Sequence, residues 1–316
     1  PLIMLNAIDQ SFFMGFFFLL SGYFMVASLE RKTTANFLLD RFLRLGIPLL
    51  IYFFLLSPLT IALAYDSPAT IGEKWLLMIK DKQFGPGPLW FAEALLIFAF
   101  VYLLINKIIS VKRWSPERLP GFGLLMFVAL GLGLVSFVLR LKIPVGDEVL
   151  WLQLGFFPCY VFLFFAGCAA HKHQLLDKLD GKYAASWGLI SLLAIATLPF
   201  ALMKLLGDGP FEGGANANAI YYAFWDPLTG WGIILGLLWF FRRFLATPTP
   251  LSGWIARRVY GVFIFHAPIL VAFSVMFASL PLNPYCKLIV VSILTFLAGL
   301  LVTNVCFLFP PAKKIL

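Results

Sequence analysis

The sequence predicts an all-α fold: a polytopic integral membrane helical bundle with nine transmembrane helices. Three observations carry that expectation. Of its 316 residues, 61% are hydrophobic and only 12% are charged, against roughly a quarter charged in a soluble domain. The apolar residues gather in runs close to the roughly 20 needed to cross a bilayer as a helix. Lys and Arg fall in short loops between those runs, in unequal numbers on alternate sides.

The predicted spans are 11–28, 45–65, 88–106, 121–139, 150–170, 183–203, 225–241, 259–279 and 287–309. The first is rich in Phe, and its Gly15 and Gly22 share one face, which permits close helix packing. The second runs from Leu45 almost to Asp66. The third opens on Pro88 and ends before Lys107. The fourth lies between Gly121 and Arg140. The fifth follows Asp147 and Glu148 and stops before His171. The sixth sits between Lys182 and Lys204. The seventh begins at Trp225 and ends before Arg242 and Arg243. The eighth follows Arg257 and Arg258, and the ninth ends before Pro310 and Pro311. No polar stretch is long enough for a separate soluble domain, so 1–316 reads as a single transmembrane domain.

The basic residues orient these spans. One side holds Lys74, Lys80, Lys82, Arg140, Lys142, Lys204 and Lys287; the other holds the remaining 17 of the 24. The richer side is predicted to be cytoplasmic. It takes the loops at 29–44, 107–120, 171–182 and 242–258, and the C-terminus. Nine spans then place Pro1 outside. One further span before Pro1 would reconcile this with the absence of a signal peptide, so the expected parent has ten helices.

The formal net charge of +9 does not indicate nucleic acid, because the cations are scattered in loops and report topology. Cys159, Cys168, Cys286 and Cys306 form no CxxC pair and lie in or beside apolar runs, so they read as buried, inert thiols. No Cys/His cluster suggests a metal. His171 and His173 flank Lys172 in an expected loop and read as solvated.

Ionisable groups within spans are functional candidates by default. Glu93 follows Trp90 by three residues on one helix face. It could serve function, or reach headgroups near the outer interface. His266 lies two residues before Pro268, and could relay a proton, bind a ligand or bridge two helices. By span boundaries Glu93 is roughly 8 Å from the outer edge and His266 roughly 10 Å from the inner one. In a core about 30 Å thick that leaves a depth difference of roughly 12 Å, too much for a direct hydrogen bond. Arg41 and Arg44, at i and i+3, suit phosphate or a simple positive-inside anchor. The outer loop 204–224, with Asp208, Glu212, Asn216, Asn218, Tyr221 and Tyr222 before Trp225 and Asp226, suits a sugar or an aromatic belt.

At these residues the sequence resembles the acyltransferase 3 family of membrane O-acyltransferases. Four segments carry the resemblance in order: Phe17-Phe18-Leu19-Leu20-Ser21-Gly22-Tyr23-Phe24; Arg41-Phe42-Leu43-Arg44 with Pro48; Pro88-Leu89-Trp90-Phe91 with Glu93; and Tyr260-Gly261-Val262-Phe263-Ile264-Phe265-His266. The first and third look most like the branch containing glucan biosynthesis protein C. The resemblance implies ten core helices in a bacterial inner membrane. It implies transfer of an acyl group, acetyl or succinyl, from a cytoplasmic acyl-CoA to a hydroxyl of an extracytoplasmic glycan or lipid-linked sugar. Acyl-CoA is then a co-substrate, and no bound cofactor is expected. Arg41 and Arg44 would hold the donor's phosphates, and Trp90 and Tyr260 would contact substrate. Glu93 and His266 would stand at the reacting end, with the role of His266 open between donor binding and helix packing. The family's catalytic histidine lies on its first helix, which is expected to precede Pro1. A competing class is a secondary transporter or flippase for a glycan or lipid. Its mark would be a matched pair of interrupted spans, which the sequence does not show.

Overall fold

A computed structural model describes residues 2–108, 119–203 and 207–315. Among them nine helices are long and apolar enough to cross a membrane, and no strand forms. The protein is thus an all-α, multi-pass membrane protein. This follows from the solvent: in hydrocarbon each backbone N–H and C=O must be satisfied within its own segment, which a helix does.

In chain order the helices are α1 (Leu2–Leu29), α2 (Thr34–Ala64), α3 (Ile71–Lys80), α4 (Trp90–Ile108), α5 (Phe122–Arg140) and α6 (Phe157–Lys172). They continue with α7 (Gly181–Leu202), α8 (Ala217–Phe244), α9 (Pro250–Ala256), α10 (Val259–Met276), α11 (Pro284–Cys306) and α12 (Ala312–Ile315). Each predicted span falls on one long helix, but several boundaries move. Most of the expected loop 29–44 is helical, because Thr34–Arg41 forms a turn-by-turn continuation of α2 that buries Phe37. Residues 217–224 of the expected outer loop belong to α8, whose start is capped by Asn216 Oδ1 accepting from Ala219 N at 3.0 Å. The span expected from 150 is helical only from the 3-10 turn Leu154–Phe156 onward. Leu150 and Trp151 instead have positive φ between the bridged residues Val149 and Leu152. Counting apolar residues misses such changes, since polar turns can extend a helix and apolar ones can leave it. Lys112, Arg113, Arg118 and Lys204, expected in loops, lie outside the described residues.

Two compact units emerge from the packing: Pro1–Thr33 with Phe98–Thr247, and Thr34–Ile97 with Pro248–Leu316. In the first, α1 packs on α6 through Gly22 and Gly167. A Cβ on Gly22 would strike the Phe164 carbonyl, and one on Gly167 the Leu19 carbonyl. The expected small-residue face of α1 is therefore used at Gly22 for backbone contact. Leu19, Leu163, Trp187, Trp231 and Ile234 form the core beside it. Ser191 Oγ donates to Thr229 O at 2.7 Å, and Trp225 Nε1 to Ala194 O at 2.8 Å, which joins α7 to α8.

This unit also holds a buried ion pair. Arg140, fully buried, donates from Nη2 to Asp226 Oδ2 at 3.0 Å and from Nε to Gly155 O at 2.9 Å. Its guanidinium lies 5.1 Å from the ring centroids of both Phe156 and Tyr222. Asn218, also buried, donates to the carbonyls of Gly207 and Gly209. Asn216, Asn218, Tyr222, Trp225 and Asp226 are thus committed to internal structure, which accounts for them without a sugar. His171 corrects its expectation too. It lies in the last turn of α6, is half-buried, and meets Glu30 Oε2 at 3.1 Å with its ring against Tyr23. Of the cysteines, Cys159 and Cys168 are buried but Cys286 is exposed and Cys306 half-buried; Cys286 stands in the first turn of α11, where little packs.

In the second unit α2 is interrupted by two π-turns, Phe42–Gly46 and Tyr52–Leu56. Each lies just before a proline, Pro48 or Pro58, whose missing N–H removes an α-helical bond. The unforeseen α3 is amphipathic and starts with a capping box in which Thr70 and Glu73 bond reciprocally. The Thr70 donors hold the Glu73 carboxyl below its usual range. Trp75 Nε1 donates to Leu55 O at 3.0 Å and Lys74 Nζ to Tyr65 O at 2.8 Å, so α3 lies back along α2. The chain then reaches Gly87, whose φ of +48° favours glycine and whose missing Cβ leaves room for the Tyr52 ring.

Candidate functional site

The six side chains singled out from the sequence, Arg41, Arg44, Trp90, Glu93, Tyr260 and His266, all belong to the second unit. Two features bring them into relation there: a basic cavity and an aromatic column.

The cavity has a volume of about 620 Å³, within the range of small-molecule sites. Arg41, Arg44, Arg257, Arg258 and Lys313 line it, together with Leu45, Tyr260 and Phe307 among others. Arg41 is half-buried beneath the α2 π-turn. Its guanidinium carbon lies 5.2 Å from the Phe37 ring centroid, and its Nε is buried with no hydrogen-bond partner. Arg44 is exposed and pairs with Asp40 at 3.4 Å, one turn back. Arg258 is spent on structure: Nε donates to Asn304 Oδ1 at 2.6 Å, Nη1 donates to Trp254 O at 2.9 Å, and the guanidinium lies 4.0 Å from the Trp254 ring centroid. Among the described residues the cavity is thus lined by five cations, one of them paired with Asp40, and its charge is positive.

Tyr260 links the cavity to α2. Pro48 has no N–H to offer the Arg44 carbonyl four residues earlier, and the Tyr260 hydroxyl donates to that carbonyl instead. The same tyrosine starts a column on α10. Tyr260 stacks on Phe263 at 6.4 Å and Phe263 on His266 at 5.7 Å. Steps of three residues carry it roughly 9 Å along the helix at 1.5 Å per residue. His266 is half-buried, and its Nδ1 lies 2.6 Å from Phe263 O. A carbonyl only accepts, so Nδ1–H donates to it and Nε2 is the ring nitrogen left to face elsewhere. Nε2 has no hydrogen-bond partner among the described residues.

The third sequence segment meets this column. The Phe91 ring lies edge-on to Phe263 with centroids 6.4 Å apart. Trp90 packs on Phe91. Glu93, half-buried, makes no hydrogen bond or ion pair among the described residues. Among the described residues no hydrogen bond joins Glu93 to His266, as expected, but the Phe91–Phe263 contact is closer than the span boundaries imply, by which the two would stand roughly 19 Å apart across the membrane. The physical reason is the turn before α4. Phe84 stacks on Phe53, and Gly87 abuts the buried Tyr52, well inside α2. The helix bearing Glu93 therefore begins beside the middle of α2 and not beside its end.

Sequence reasoning missed two features. Lys313 reads from the sequence only as a topology marker, and Arg257, nine residues before His266, only as a fallback place for the donor should Arg41 and Arg44 be an anchor. The Arg140–Asp226 pair was passed over, although Asp226 falls inside a predicted span.

A family model described as an acyltransferase domain matches residues 2–308. The chain belongs to the acyltransferase 3 family. It is a membrane acyltransferase, and the match takes in all six candidate residues of this acyltransferase. Comparison with curated proteins and with solved structures gives no match.

Proposed function

We propose that this acyltransferase moves an acyl group, acetyl or succinyl, from an acyl-CoA on the cytoplasmic side to a hydroxyl of an extracytoplasmic glycan or lipid-linked sugar. The observation that carries the reading is the basic cavity joined, through Tyr260, to a column ending at His266 beside the Glu93 helix. Arg41 and Arg44 bind the phosphates of the donor, whose guanidinium-friendly geometry favours arginine. The flexible arm of the donor follows the aromatic column and brings the thioester toward His266 and Glu93. The acceptor oxygen attacks the thioester carbon, the carbon–sulfur bond breaks, and the CoA thiolate leaves. The hydroxyl proton passes to a general base, which Glu93 orients or which His266 Nε2 provides. The donor is a substrate and not a resident cofactor. Cytoplasmic placement of the basic loops and C-terminus agrees with the residue bias, and a bacterial inner membrane and glucan acceptor agree with the resemblance of the first and third segments.

The test is mass spectrometry of envelope glycans from cells with and without the gene, combined with labelled acyl-CoA supplied to inverted vesicles. The expected result is gene-dependent label on a glycan hydroxyl with release of free CoA. The π-turns that interrupt α2 are also a feature a transporter could use. Movement of glycan without consumption of thioester would favour that class instead.

A further inference from the structure

Two cations of the cavity have no task in the fold. Arg258 is bonded to Asn304 and Trp254, and Arg44 shares Asp40. Arg257 and Lys313 are exposed and line the same cavity, and their side chains make no hydrogen bond or ion pair among the described residues. Lys313 belongs to α12, which packs against the π-turn carrying Arg44. It also lies beyond residue 308, where the family match stops. This wall of the cavity thus combines Arg257, inside the matched residues, with Lys313, outside them.

We infer that Arg257 and Lys313 form a second phosphate subsite, so that the protein selects a donor bearing a phosphate monoester in addition to a diphosphate. The inference rests on the acyl-CoA reading above and adds to it. A phosphate monoester carries about −1.5 to −2 charges at neutral pH, and a diphosphate adds a comparable amount. Five cations less one carboxylate match that total, whereas the Arg41–Arg44 pair alone matches only one of the two groups. The volume of about 620 Å³ far exceeds the roughly 30 Å³ of a water molecule, so the site has room for a nucleotide and not only an ion. The α12 contact fixes Lys313 at the wall without an entropic search by a free tail.

Binding of CoA and of dephospho-CoA to the purified protein in phosphatidylcholine nanodiscs tests this. The wild type should bind CoA about tenfold more tightly, as expected for one added charge-assisted contact set. Lys313→Ala and Arg257→Ala should each reduce that ratio several-fold and leave dephospho-CoA binding unchanged, while Lys313→Arg keeps the ratio. Equal wild-type affinity for the two nucleotides would overturn the subsite, as would equal losses of both in the variants. Binding of neither nucleotide would instead overturn the acyl-CoA reading on which it stands. Nanodiscs containing phosphatidylglycerol separate a headgroup source of the same chemistry. If that lipid abolishes the discrimination and Lys313→Ala restores it, the cations serve lipid and the inference fails. Should Lys313→Ala not fold, the wild-type ratio and Arg257→Ala decide.

Discussion

Replacing Glu93 by Gln removes a charge and keeps the shape of the side chain. Glu93 is half-buried and has no hydrogen bond or ion pair among the described residues, so no partner is orphaned by the change. The neighbouring Trp90–Phe91 and Phe91–Phe263 contacts involve rings that the amide leaves in place. The expected cost in stability is therefore within about 1 kcal/mol. If the carboxylate takes or orients the acceptor proton, activity should fall about 10²–10⁴-fold, which corresponds to about 2.7–5.4 kcal/mol of lost transition-state stabilisation. The two magnitudes are far enough apart to be read separately. The assay is transfer of labelled acyl groups in membrane vesicles, normalised to inserted protein, alongside thermal unfolding in detergent. A well-expressed Glu93→Gln protein that transfers at the wild-type rate would refute the argument, and would leave Glu93 as an interfacial carboxylate.

Arg44→Lys keeps the positive charge but not the planar fork. It should raise the apparent Michaelis constant for acyl-CoA about tenfold with expression unchanged, and Arg41→Lys with it should raise the constant further; unchanged donor kinetics would make the pair an anchor. Arg140→Ala should destabilise the protein by about 3–5 kcal/mol, because it leaves Asp226 buried without its partner. The double change Arg140→Met with Asp226→Leu should cost much less, as thermal unfolding of the three proteins would show. Single cysteines placed in the loops 29–33 and 245–249 should resist an impermeant thiol reagent added to intact cells and react after permeabilisation. Labelling from outside would reverse the orientation and move the donor cavity to the wrong side.

The sequence by itself determined the class and the number of long apolar helices. A run of apolar residues in hydrocarbon has no stable choice but a helix, so length and composition suffice. It also brought forward Arg41, Arg44, Trp90, Glu93, Tyr260 and His266 as a set, through spacing and through four ordered segments. What it could not supply was depth and company. The level at which α4 begins depends on Gly87 fitting against Tyr52 and on Phe84 stacking over Phe53, contacts between residues 31 or more positions apart. The recruitment of Arg257 and Lys313 to the arginine pair depends on α12 packing against the π-turn at Phe42–Gly46. Asp226 falls inside a predicted span with no partner visible in the sequence, and its partner Arg140 stands 86 residues away. Apolar run length reports the local bargain between backbone and hydrocarbon. Burial, partnership and level within the membrane are set by side chains that meet only when separate helices pack, and only the tertiary structure decided them.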